Sequence, residues 1–247
     1  CIARAPAQAR GCSWARALRR PSDLGCNDGP FILPELREQV AIVKASRPSP
    51  GMLFVTPARD LNEQRQERRA TIRERCQHVV DLMASHKRPF LSWVHLNDEG
   101  DLLEEMMPDA LQVSGKDSDE AKVEKFDAFT NGQSRGLITK PKIGGFGMNW
   151  QHCADMSLFP SHSYEQYYQS IRRCWRYGQT RPVNVEIVST EGEADVLGNL
   201  KRKSAAADRM FAEMVAAVEQ ARVVRSREVV TGAVTLPAWM EVACNTR

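Results

Sequence analysis

The chain has no apolar run approaching the roughly twenty residues a helix needs to cross a bilayer, which excludes a spanning helix from its 247 residues. Its first residues, CIARAPAQARG, lack the apolar core of a signal peptide. Seven cysteines lie at positions 1, 12, 26, 76, 153, 174 and 244, and none forms a C-x-x-C pair. Cys76-x-His78 and His152-Cys153 are too close and too isolated to build a tetrahedral zinc site, so no metal centre is expected. An odd, scattered set of this kind suggests reduced thiols in a cytosol-like compartment. Net charge is scarce too: 34 Lys and Arg against 31 Asp and Glu leave +3, which permits nucleic-acid binding without demanding it. A phosphate-binding G-x4-G-K-[ST] loop is also missing. Gly115-Lys116 is followed by Asp117, and position 110 is Ala, so that pattern fails at both ends. Asp98-Glu99-Gly100-Asp101 has the look of a magnesium-binding carboxylate pair, but no phosphate loop precedes it and it suits a helix N-terminus.

What remains is the composition of a globular protein with a core: 42% hydrophobic and 26% charged residues. Residues 1–57 begin without periodicity and are then broken by Pro and Gly, leaving short pieces such as Phe31–Leu33 and Glu38–Lys44. This stretch reads as an extended connector, the remnant of an upstream lobe. A charged helix follows from Asp60 to about His86, amphipathic through Ile72, Cys76, Val79, Val80 and Met83. Strand-length apolar runs at Phe90–His95, Ala110–Val113, Arg135–Thr139, Met156–Phe159 and Val183–Val188 then alternate with helical segments. The pattern predicts an α/β lobe of three layers, helices over both faces of a mostly parallel sheet, spanning residues 58–205. Residues 206–247 read as a helical appendage and a tail, with Val229–Trp239 strand-like. The chain starts with Cys1 rather than Met, and a piece of a longer product is the expectation.

Chemistry concentrates between residues 144 and 179. Gly144-Gly145-Phe146-Gly147-Met148-Asn149 is a glycine loop, and a glycine pair alone marks only a turn. About twenty residues later stands Gln169-x3-Arg173-x2-Arg176-x-Gly178-Gln179. On a helix starting at Ser163, Gln169, Arg173 and Arg176 fall on one narrow face, as the spacings of four and three require. Tyr164, Tyr168, Ile171 and Trp175 form a separate stripe, expected to anchor the helix on the sheet, with Gly178 as its αL cap. Glycines let backbone amides approach an anion, and arginines supply fixed positive charge to a developing phosphate.

The two segments resemble motifs V and VI of superfamily 2 helicases, closest to Swi/Snf-type translocases and phage DEAD-like helicases. The likeness runs from about residue 88 to residue 190 and covers only the second of two motor lobes. It implies a RecA-like C-terminal lobe, with Arg173 and Arg176 reaching the γ-phosphate of ATP held on the first lobe, Arg176 as arginine finger and Arg173 as its partner. It implies nucleotide contacts from Gly145, Gly147, Gln169, Gly178 and Gln179. It also implies nucleic-acid backbone contacts from Ser92, at the place of motif IV, from Thr139, Lys140 and Lys142 at the end of the third strand, and from Asn149. In these lobes an arginine stands early in the helix after Ser114-Gly115, where this chain has Lys122. ATP and magnesium would be held mainly by the missing first lobe, and the partners would be DNA and that lobe, with no membrane. The implied protein is an ATP-dependent DNA helicase or translocase, inactive as this piece alone and at home in the cytoplasm of a bacterium or phage-infected cell. The alternative is a non-enzymatic scaffold lobe that binds nucleic acid or a partner.

Overall fold

The computed structural model describes residues 21–24, 26–44, 66, 68–145 and 147–227. The tail around Val229–Trp239 and most of the expected charged helix before Arg68 lie outside those residues. Six strands form one sheet: β1 (Leu36–Val43), β2 (Phe90–Trp93), β3 (Ala110–Val113), β4 (Gly136–Thr139), β5 (Asp155–Leu158) and β6 (Val183–Thr190). Their order is β1-β6-β5-β2-β4-β3, and every pairing is parallel. Among the described residues six α-helices connect or follow them: α1 (Ile72–Ala84), α2 (Asn97–Met106), α3 (Asp119–Thr130), α4 (Pro141–Gly144), α5 (Tyr164–Ile171) and α6 (Ala194–Arg227). This is the α/β class that the alternating pattern predicts.

Side-chain alternation sorts the core onto two faces. Leu91, Trp93, Val113, Leu137, Met156, Leu158 and Val185 point to one side, where Phe126 and Phe129 of α3 and Ile171 of α5 cover them. Phe90, Ala110, Ile138 and Val188 point to the other, against Cys76, Val79 and Met83 of α1 and Leu103 of α2. Every residue of β2, β4 and β5 is therefore buried, which explains their short, nearly continuous apolar runs. Trp93 and Trp150 sit at 6.2 Å between ring centres, with Phe126 and Phe129 against Trp150 at 5.6 and 5.8 Å. Each ring of this size contributes roughly 2–3 kcal/mol through burial.

Local signals set the helix boundaries. Ser118 caps α3 by accepting the Ala121 amide, and Gly132 just beyond its end has φ +74°. Ser163 caps α5 by accepting from Gln166. Glu99, inside the acidic run that mimics a metal site, accepts the His95 and Leu96 amides at 2.9 Å each and so closes the first turn of α2.

The edge strand departs from the sequence reading. β1 comes from the stretch read as a connector, yet it runs in register with all of β6, Leu36 against Val183 through Val43 against Thr190. Its Glu38, Val40 and Ile42 are exposed, so a periodicity search finds too little apolar patterning to mark it. The sheet, α1 to α5 and the start of α6 belong to one compact unit, Asn27–Ala207. A second unit, Cys1–Cys26 with Asp208–Arg247, contains the distal part of α6. No described helix is long and apolar enough to cross a membrane.

Candidate functional site

The glycine loop leaves α4 through Gly145, which has ordinary helical torsions, φ −75° and ψ −5°. Glycine is required there for space, because a Cβ would stand 2.0 Å from the Pro141 carbonyl oxygen. Gly147 is the converse case: φ is +77° and its Cβ position is open, so the requirement is conformational. The loop ends at Met148, and its carbonyl is where the loop and the arginines meet. Arg173 Nη1 donates to Met148 O at 3.0 Å, and Arg176 Nη1 reaches the same oxygen at 3.5 Å. The Trp150 amide donates in turn to the Arg173 carbonyl at 3.0 Å.

α5 ends at Ile171, short of both arginines, which corrects the expectation of one continuous helix through Arg176. The cause lies in competing local hydrogen bonds. Ser170 Oγ donates to the Gln166 carbonyl at 2.7 Å, and Arg173 Nε takes the Gln169 carbonyl at 3.1 Å. The following amides tighten to the third residue back, Arg173 to Ser170 and Cys174 to Ile171. Gln169, Arg173 and Arg176 nevertheless remain together, because Gln169 Oε1 accepts from Arg173 Nη2 at 3.0 Å. All three donor groups of the Arg173 guanidinium are thus engaged within the chain. Burial, and then the neighbouring Arg176 charge, lower the Arg173 pKa, though arginine remains charged in any such setting. Arg176 holds one long hydrogen bond and is partly exposed.

Other expected site residues divide in the same way between free and engaged. Gln179 is buried: its amide nitrogen donates to the carbonyls of Gln151, Cys153 and Cys174, and its oxygen accepts from Thr180 and Arg181. It is a structural tie with no donor left for a nucleotide. Gly178, at φ +93°, lies in the turn after the arginines, and a Cβ would stand 2.9 Å from the Gln151 side chain. It therefore does not cap α5. Ser92 and Thr139, expected at the nucleic-acid contact, are fully buried. Ser157 donates to Ser92 Oγ at 2.9 Å, and Thr139 donates to the Val113 carbonyl at 3.1 Å. Lys142 and Asn149 are exposed, and Lys140 donates to Asn97 Oδ1 at 2.6 Å. The anchoring stripe is also revised. Ile171 is buried as expected, but Tyr168 is 41% exposed and the seat is completed by Ser170 and Cys174.

The fold has counterparts. No family model matches the chain, and no curated protein does. Among solved structures, it is similar to the C-terminal part of the Fun30 ATPase domain, at 19% identity and TM-score 0.46, over 51% of this chain and 45% of that one. It is also similar to the C-terminal domain of the DEAD-box protein Dbp5, at 14% identity and TM-score 0.47, over 53% of this chain and 78% of that one. The chain thus spans less than half of the Fun30 structure. At these values the likeness is one of fold.

A buried ionic network escaped the sequence reading. Arg75 and Glu99, both almost fully buried, pair at 2.8 Å, and the Arg75 guanidinium also lies over the Phe159 ring at 4.7 Å. Arg68 bonds the buried Glu193 at 2.5 Å and the Pro160 carbonyl at 2.8 Å. A signal did exist, since Arg75 stands four residues before Val79 on the apolar stripe of α1. His95, beside Glu99, is pushed down to about 4 by burial, the Glu99 charge offsetting only part of that.

Proposed function

We propose that this chain is the second motor lobe of an ATP-dependent DNA helicase or translocase, supplying an arginine finger and part of the nucleic-acid track. One observation carries the reading: the carbonyl of Met148, at the end of the glycine loop, is shared by Arg173 and Arg176. A phosphate bound near Arg176 would therefore be felt by the loop, and the loop is flanked by the exposed Lys142 and Asn149. Such a link is what a motor needs to couple nucleotide state to its grip on a backbone.

The residues present fit a γ-phosphate unequally. Arg176 gives up one bond at 3.5 Å to reach an incoming phosphate, whereas Arg173 would give up three of 3.0–3.1 Å. Arg176 is accordingly the finger, and Arg173 holds the loop against it. Bound ATP supplies the phosphoryl group, and Arg176 stabilises the charge that develops on it. This reading assigns magnesium mainly to the first lobe, beside the ATP phosphates.

The test uses the two-lobed protein in which this chain follows an ATP-binding lobe. Arg176→Ala should lower DNA-stimulated ATP turnover by about a thousandfold or more while ATP still binds. Turnover retained in that variant would remove the finger and favour the scaffold lobe.

A further inference from the structure

Tyr164, Tyr168 and Trp175 of the expected stripe form a row of planar groups with Arg172, while Ile171 is buried and Trp175 packs in part against the core. Arg172 lies over the Tyr168 ring at 5.6 Å and over the Trp175 ring at 5.3 Å. Tyr164 continues the row beyond Tyr168 at 6.0 Å. Trp175 is fixed by its indole donating to the Pro34 carbonyl at 2.8 Å, and Phe31, three residues before Pro34, stands edge-on to Tyr177 at 5.5 Å. Phe31, Tyr168 and Tyr177 are each more than 40% exposed. Arg172 makes no ion pair among the described residues, although the exposed Glu165 precedes it by two turns.

We propose that Tyr168, Arg172 and Trp175, with Tyr177 and Phe31 beyond them, form a stacking surface for the unpaired bases of single-stranded nucleic acid. Aromatic rings and guanidinium planes both stack on base faces, and an arginine without a carboxylate partner adds attraction for phosphate. A duplex hides its base faces in its own stack, so the surface selects unpaired strand. A protein partner is the less favoured occupant, because the row has a cation at its centre where an interface core is depleted of charge. This proposal deepens the nucleic-acid half of the motor reading and is independent of its ATPase half. Its test reads binding alone, so the two fail separately.

The experiment titrates the 247-residue chain into fluorescein-labelled oligo(dT) and into the matching dT·dA duplex, following anisotropy. The single strand should bind more tightly than the duplex. Tyr168→Ala and Arg172→Ala should each weaken single-strand binding by about five- to a hundredfold, with Tyr168→Phe close to the parent. Lys201→Ala, on α6, controls for general loss of positive charge and should change affinity less than twofold. Circular dichroism confirms that the variants fold. Equal affinity for both nucleic acids, no binding to either, or equal loss in Tyr168→Ala and Tyr168→Phe would each overturn the proposal.

Discussion

Two sides of one short segment, residues 168–176, carry arginines that the structure treats in opposite ways. On the inner side, each nitrogen of the Arg173 guanidinium holds a bond to Gln169 or Met148, and the residue becomes part of the scaffold that shapes the glycine loop. On the outer side, Arg172 lies over ring faces and makes no ion pair among the described residues. Arg176 belongs to the inner side but holds one bond at 3.5 Å. The comparison teaches that a motif's spacing locates charge, whereas hydrogen-bond saturation decides which charge is available to a ligand.

The strongest way to break this division is at the loop the inner side holds. Gly145→Ala forces a Cβ against the Pro141 carbonyl, a backbone atom that cannot swing away. It should cost about 3 kcal/mol in urea unfolding, whereas Gly147→Ala, strained but unobstructed, should cost about 1 kcal/mol. Equal costs would mean that the loop is not held as described. The arginines give the next contrast. Arg173→Ala removes three hydrogen bonds and should destabilise the chain by about 2 kcal/mol, while Arg172→Ala should change stability by roughly 0.5 kcal/mol or less. A reversed order in thermal melting would contradict the assignment of scaffold and free side.

How much of this was legible in the sequence follows from which physical signal each part carries. β2 to β6 were found as apolar runs because parallel strands covered on both faces must be apolar, and the glycine and arginine motifs were found because their spacing is unusual. β1 was missed because an edge strand shows little patterning, and Glu38, Val40 and Ile42 are exposed. The burial of Ser92 and Thr139 was not legible, because residue type gives no hint that the Ser157 hydroxyl and the Val113 carbonyl engage them. The anchoring role given to Tyr168 failed because its neighbour Tyr167 packs against the core instead and leaves Tyr168 exposed, a rotation of the buried face that the apolar spacing alone does not reveal.

The missed strand yields a further check. A piece covering residues 27–207 should be more stable than one covering 58–205, because the shorter piece uncovers the β6 edge along all eight pairs. Equal stability would show β1 to be a passenger.

The smallest effect is in pH. His95 is held neutral down to about 4, against 6.5 for an ordinary histidine. Between those values the unfolded chain takes up a proton that the folded chain refuses, so this contribution is complete above pH 6.5 and is lost as pH falls toward 4. After allowance for partial exposure it amounts to about 1 kcal/mol. His95→Gln should flatten the stability slope between pH 6.5 and 4.5, and an unchanged slope would assign the effect elsewhere.

The most direct measurement compares Arg176→Ala with Arg172→Ala in the two-lobed motor proposed above, following ATP turnover as single-stranded DNA is added. The account expects two kinds of failure: Arg176→Ala lowers the plateau of stimulated turnover, and Arg172→Ala shifts the DNA concentration needed to reach it. Two variants that fail in the same way would contradict the division into an inner phosphate-sensing side and an outer base-stacking side.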